Sequence, residues 1–309
     1  MNTTVLERWN RWWFTAEGPT NLACCRIAFF GMMLFFYAGQ RFAPWGEAPE
    51  ALWMPATILG RIGVGPASPE ILGGLGLVWK IALACACAGL ASRFTTAVSF
   101  LIGFYLLDIP HNFGKVNHHD GVLVLTMFIL ALSRCGSILS LDQIIRSRGN
   151  RLVEVPPPSA EFRWPIRAVW VILALVLGAA GVAKFYQGGW GWFTPDNMAI
   201  NLISHNYGGA TPLTDWGLRV ATIPWICQIM SLGGALVELL FPLALFFRKL
   251  RLFLLLATLV LFIGIRVFLG PSFEHYLMLY LFFIPWSKFG NFLLTVIRKN
   301  TTRAPRLPA

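Results

Sequence analysis

The sequence predicts an all-α protein: a polytopic transmembrane helical bundle of about eight spans, with interfacial amphipathic helices in the outer links. Three observations predict it. Of 309 residues, 56% are hydrophobic and only 13% charged, where a soluble domain carries roughly a quarter charged residues. Apolar runs recur along nearly the whole length, which leaves no room for a separate soluble domain. Lys and Arg alternate in density from one link to the next, as sorting of positive charge to one side of a membrane requires.

The elements follow in order. Trp9, Trp12 and Trp13 with Arg8 and Arg11 read as a segment anchored at headgroup level, so residues 1–16 form an interfacial, cytoplasmic N-terminal piece. No cleavable signal peptide is expected, because Met1–Glu17 is polar and tryptophan-rich. Residues 17–290 form the transmembrane domain. Its first span is Asn21–Gly39, and the long link Gln40–Glu70, rich in Pro and Gly, lies on the surface as short amphipathic pieces. Span two is Ile71–Ala91 and span three Thr95–Ile109, joined by a tight turn at Arg93. Pro110–His119 leads to span four, Gly121–Leu132, and the strongly basic link Arg134–Arg163 follows. Span five lies within Trp164–Trp190. From Arg167 to Lys184 it covers roughly 25 Å at helical rise, close to a bilayer's hydrocarbon thickness. After the tryptophan-rich link Phe185–Thr222 come span six (Ile223–Phe247), span seven (Leu252–Leu269) and span eight (Phe273–Trp286). Residues 291–309 form a basic cytoplasmic tail.

Charge fixes the orientation. With eight spans, Arg41, Arg61, Lys115 and Arg219 fall on one side, and Arg26, Lys80, Lys184 and Arg266 lie within spans. The remaining seventeen of the 25 Lys and Arg share the side of both termini. That bias places both ends in the cytoplasm of a bacterial-type inner membrane. It also accounts for the net charge of +11 without nucleic acid as a partner. The six cysteines lie in or beside spans with no CxxC, so inert buried thiols are expected.

In this orientation ionisable groups gather at the outer ends of the spans. Lys184 closes span five. Asp108 closes span three, and Asn117, His118, His119 and Asp120 open span four. Arg266 lies near the outer end of span seven, and Glu274, His275 and Tyr276 open span eight. Such groups line a cavity or find partners, and an outward-facing pocket lined by them is the expectation. Each has a plainer reading. Lys184 snorkels to the headgroups, the histidines and Asp120 serve a helix start, and Arg266 bridges to Glu274. Deeper in the bilayer, Arg26 and Glu238 form a structural pair. No metal is expected, because adjacent histidines on a helix point about 100° apart and the spacing matches no zinc signature. Nor does a repeat of the kind that marks small-solute transporters stand out.

At these same residues the chain resembles a known family. VNHHDGVLVLTMFILALSRCGSILSLD (116–142), GAAGVAKFYQGGW (178–190), TNLACCRIAFFGMML (20–34) and GGALVELLFPLALFF (233–247) are similar, in order and spacing, to segments of the vitamin K-dependent γ-glutamyl carboxylases. The related bacterial set is the horizontally transferred transmembrane domain (HTTM) family. The resemblance implies that Lys184 is a catalytic base that deprotonates a reduced quinone, a menaquinol or vitamin K-like cofactor, ahead of oxygen chemistry. It implies that Asn117 and His118 orient the quinol oxygen. Trp190, which falls on the family's tryptophan, joins Tyr186, His119, Asp120, Arg266, Glu274 and His275 as candidate substrate-binding residues. Two positions depart from the family: Phe262 stands where it carries a histidine, and Ala183 replaces the first of its paired lysines. The family's large lumenal domain is expected to be missing. Membrane lipids, a lipophilic quinone and a secreted peptide or protein substrate are the expected partners. The alternative is a non-enzymatic membrane partner in the maturation or export of a secreted peptide.

Overall fold

A computed structural model describes residues 4–114, 118–148, 155–208 and 212–288. Among these residues the structure is helical, with one isolated bridge between Glu17 and Ser159. Among the described residues six helices are long and apolar enough to cross a membrane: α2 (Thr20–Tyr37), α4 (Pro69–Ala88), α5 (Ser92–Asp108), α8 (Trp164–Gly188), α11 (Pro224–Leu240) and α12 (Arg248–Phe268), of which α5, α8 and α11 are extended by short 3-10 turns. The other two expected spans form shorter helices, α6 (His118–Leu132) and α13 (Glu274–Tyr280). The chain divides into two compact units, one running to Ala168 and resuming at Leu281, the other Val169–Tyr280.

The first unit opens with α1 (Val5–Phe14), whose start is fixed by a capping box: Thr4 Oγ1 accepts from the Glu7 amide and Glu7 returns a carboxylate to the Thr4 amide. None of its residues is buried, as suits an amphipathic helix that lies on a surface. Trp9, Trp12 and Trp13 pack on one another. Arg163 donates to the Trp12 carbonyl at 3.0 Å, and the Arg167 guanidinium lies 4.9 Å from the Trp12 ring centroid.

Helices α2, α4, α5 and α6 form the core of this unit around Leu22, Phe29, Phe30, Met33, Trp79 and Leu106, all fully buried. Close helix approach depends on glycine: a Cβ on Gly103 would stand 2.7 Å from the Trp79 indole nitrogen, which donates to the Ser99 carbonyl. Buried hydroxyls on Thr96, Ser99 and Thr126 return to carbonyls four residues earlier at 2.7 Å, so apolar surroundings leave them satisfied. The link after α2 comprises 3-10 turns and the one-turn helix α3 (Ile58–Arg61). Asn112, fully buried, ties it down by accepting from the Ala56 and Thr57 amides.

Two cations within these helices serve helix ends. Lys80 donates to the carbonyls of Ala38 and Gln40, both at 2.8 Å, just beyond the C-terminus of α2. Arg26, fully buried, donates to the carbonyls of Cys135 at 3.0 Å and Leu139 at 2.5 Å, and to that of Cys87 near the end of α4. A cation at the negative end of a helix dipole is stabilised. The expected Arg26–Glu238 pair is therefore corrected: main-chain carbonyls accept the hydrogen bonds of Arg26, and Glu238 pairs with Lys184. After α6 the chain turns into α7 (Leu141–Arg148), whose Asp142 accepts from the Ala91 and Ser92 amides and the Ser92 hydroxyl. Burial works against its charge, but these hydrogen bonds hold the carboxyl below the ordinary aspartate range.

The second unit contains α8 from Val169, a 3-10 turn Gly189–Phe193, α9 (Pro195–Tyr207), α10 (Trp216–Ala221), α11, α12 and α13. Ser231 on α11 donates to the Trp192 carbonyl at 2.7 Å and Gln228 to that of Phe193, which fixes the 3-10 turn against α11. Asn206 on α9 donates to the Phe268 carbonyl at the end of α12.

Candidate functional site

The most unusual polar contact in the second unit joins Lys184 on α8 to Glu238 on α11. Two glycines on α8 make it possible. A Cβ on Gly181 would lie 2.5 Å from the Leu239 amide nitrogen, and one on Gly178 would lie 2.7 Å from Pro242. Small residues one turn apart let two helix backbones approach closely, and one further turn brings the amine to the carboxylate. Glu238 is 7% exposed. Either charge alone at such depth is costly, and a partner offsets that cost. The Lys184 Nζ also stands 6.0 Å from the Trp192 ring centroid, at the outer limit of a cation–π contact.

This geometry changes the expectation for Lys184. A lone amine made neutral by desolvation is not what α8 presents, and neither is a side chain reaching only for headgroups. The amine has a carboxylate partner 54 residues away in sequence. Tyr186 and Trp190, by contrast, are 88% and 86% exposed. Two positions along a helix is about 200° of rotation, so Tyr186 lies on the opposite face from Lys184. Trp192, rather than Trp190, is the tryptophan beside the lysine. The sequence held no signal for that choice, since aromatic residues in such a link look alike as interfacial anchors.

A second feature of the same unit is a cavity of about 260 Å³ lined by Phe262, Arg266, Ser272, Phe273 and Glu274. It unites Arg266 and Glu274, as expected of groups from two neighbouring helix ends. Arg266 donates to the Gly270 carbonyl. Phe262 is buried, stacked on Phe273 with ring centroids 4.9 Å apart and packed against Tyr276. Phe262, Phe273 and Tyr276 thus form one aromatic cluster. His275 follows Glu274 on α13.

In the first unit Asp120 is buried and accepts from the Tyr37 hydroxyl at 3.1 Å, and His111 Nε2 lies 3.4 Å from its other oxygen. Asp120 is thus more than a helix-start carboxylate: it is the centre of a Tyr–Asp–His cluster joining the ends of α2 and α6 to the 3-10 turn Ile109–Phe113. Tyr37, which closes an apolar helix, was not foreseen as its partner. Asn117 lies outside the described residues. His118 and His119 begin α6, but their side chains are also outside what is described. Among the described residues no group of three or more His, Cys, Asp or Glu side chains could hold a metal ion.

No protein-family model, curated protein or solved structure matches the chain.

Proposed function

We propose that this protein crosses a bacterial-type inner membrane eight times with both termini cytoplasmic, and that Lys184 and Glu238 form the acid–base element of a site for a lipophilic quinol or similar lipid. The observation that carries the reading is the part-buried Lys184–Glu238 pair between two helices of membrane length. Ionisable residues at such positions are retained for a task more often than for packing. The four segments similar to the carboxylase-like family supply the kind of task.

The pair offers a direct chemistry. In a low-dielectric site the charged pair can relax to a neutral amine and a neutral carboxylic acid by moving one proton from Lys184 to Glu238, with no change in net charge. The neutral amine can then accept a proton from a quinol hydroxyl. With a quinol bound there, Lys184 would take the hydroxyl proton and, as an ammonium, would stabilise the charge left on the oxygen. Trp192 adds an aromatic wall next to the amine. A bound quinol would supply the electrons for the oxygen chemistry that the resemblance implies.

The test is reconstitution of purified protein in liposomes with menaquinol, followed by quinol oxidation. The native chain is expected to turn over. Lys184→Ala is expected to lose at least about a hundredfold, within the range contributed by a positioned acid–base group. Unchanged turnover in Lys184→Ala would remove the lysine from the mechanism.

The aromatic cluster of Phe262, Phe273 and Tyr276 favours a second reading, in which the protein binds a lipid or a peptide partner without reacting with it. Under that reading no quinol is oxidised by the native chain, and Lys184→Ala leaves recovery of the partner in a detergent pull-down intact.

A further inference from the structure

We infer that a cavity in the first unit, between the α4–α5 turn and the link from α6 to α7, binds a phosphate-bearing anion through Arg93, Arg134 and Arg146, and that a membrane phospholipid headgroup is the source of that phosphate. The cavity measures about 590 Å³, ample for a glycerophosphate group and within the usual range for small-molecule sites. Its lining comes from the first unit alone, and the inference does not rest on the quinol reading.

Charge carries the argument. Three guanidiniums line one cavity with a single carboxylate, Asp142. That carboxylate is already committed: one oxygen accepts from the Ala91 amide at 2.7 Å, the other from the Ser92 amide and hydroxyl at 2.8 Å. The N-terminus of α5 is therefore capped, and a ligand would be held by the arginines beside it. The serine hydroxyls of the lining also donate elsewhere, Ser133 to the Leu130 carbonyl and Ser137 to the Arg134 carbonyl. The guanidiniums remain as the donors available to an anion. Among the described residues Arg146 donates from Nε to the Asp142 carbonyl and lies within electrostatic reach of that carboxylate, and Arg93 makes no ion pair. Arg134 pairs with Glu161 at 2.7 Å, but both side chains are about half exposed. Such a surface pair contributes little and exchanges readily for a phosphate, which accepts two parallel N–H bonds from one guanidinium.

The rim identifies the source. Helix α7 exposes Ile144 at 49% and Ile145 at 58%, and Phe94 at the start of α5 is 69% exposed. Ile145 and Phe94 line the same cavity as the arginines. Apolar side chains next to guanidiniums, at the ends of membrane-length helices, suit a molecule with a phosphate and an acyl chain. Free phosphate gains nothing from that rim.

The test uses the full-length protein in nanodiscs of phosphatidylcholine doped with phosphatidylglycerol, with lipid retention read by native mass spectrometry. The native chain is expected to retain phosphatidylglycerol over phosphatidylcholine. Arg93→Gln with Arg146→Gln, both at exposed positions, should weaken retention by at least about tenfold, since each basic residue at a membrane surface contributes on the order of 1 kcal/mol. Arg248→Gln with Lys249→Gln, at the start of α12, should leave it unchanged. Competition by millimolar inorganic phosphate would keep the anion site but assign it to soluble phosphate. Equal retention by the native chain and the Arg93/Arg146 variant, or equal loss in both double variants, would overturn the site.

Discussion

Lys184 illustrates how much one partner changes the meaning of a residue. Alone at the end of an apolar run it reads as a snorkelling side chain or a desolvated base. Held against Glu238 it becomes half of an ion pair between two helices. The pair also makes a stability prediction. Lys184→Met leaves a carboxylate buried without its cation and should cost about 3–5 kcal/mol, whereas Lys184→Met combined with Glu238→Leu should recover most of that loss. Unfolding in detergent, followed by tryptophan fluorescence, reads both. If the double variant is as unstable as the single one, the two side chains do not compensate each other.

At the scale of elements, glycine decides where helices meet. Gly181 lets α8 approach α11 closely enough that its missing Cβ would fall 2.5 Å from the Leu239 amide. Gly181→Ala should therefore push the two backbones apart at a cost of about 1–3 kcal/mol, the usual range for overpacking. Gly233→Ala, where a Cβ would meet nothing within 4 Å, should be neutral or slightly stabilising, because alanine favours the helix. Thermal stability of the two purified variants makes the comparison. Equal effects would mean that the α8–α11 contact tolerates a side chain. The sequence carried these glycines only as members of apolar runs, and nothing in the runs marked which neighbour each one admits.

For the whole molecule the open quantity is the number of crossings. Eight spans and six spans differ at α6 and α13, whose lengths are 15 and 7 residues. Single-cysteine labelling with a membrane-impermeant maleimide, in a background without native cysteines, distinguishes them. With eight spans, Arg61→Cys and Arg219→Cys label from outside intact cells, while Arg93→Cys and Arg248→Cys label only after permeabilisation. If α6 does not cross, positions 219 and 248 exchange sides. The alternation of positive charge from link to link favours the first outcome.

Composition, run length and charge alternation by themselves determined that the chain is helical, that its long apolar helices suit a membrane, and nearly where each begins and ends. These are properties of local sequence, set by burial of side chains and by the need to satisfy each backbone group within its own helix. Only the tertiary structure decided the partners. Glu238 went to Lys184 rather than Arg26, Tyr37 and His111 to Asp120, and carbonyls at helix ends to Arg26. Buried charge must be matched across space, and which residues meet there depends on how closely helix backbones pack, a quantity set by which neighbour each glycine admits.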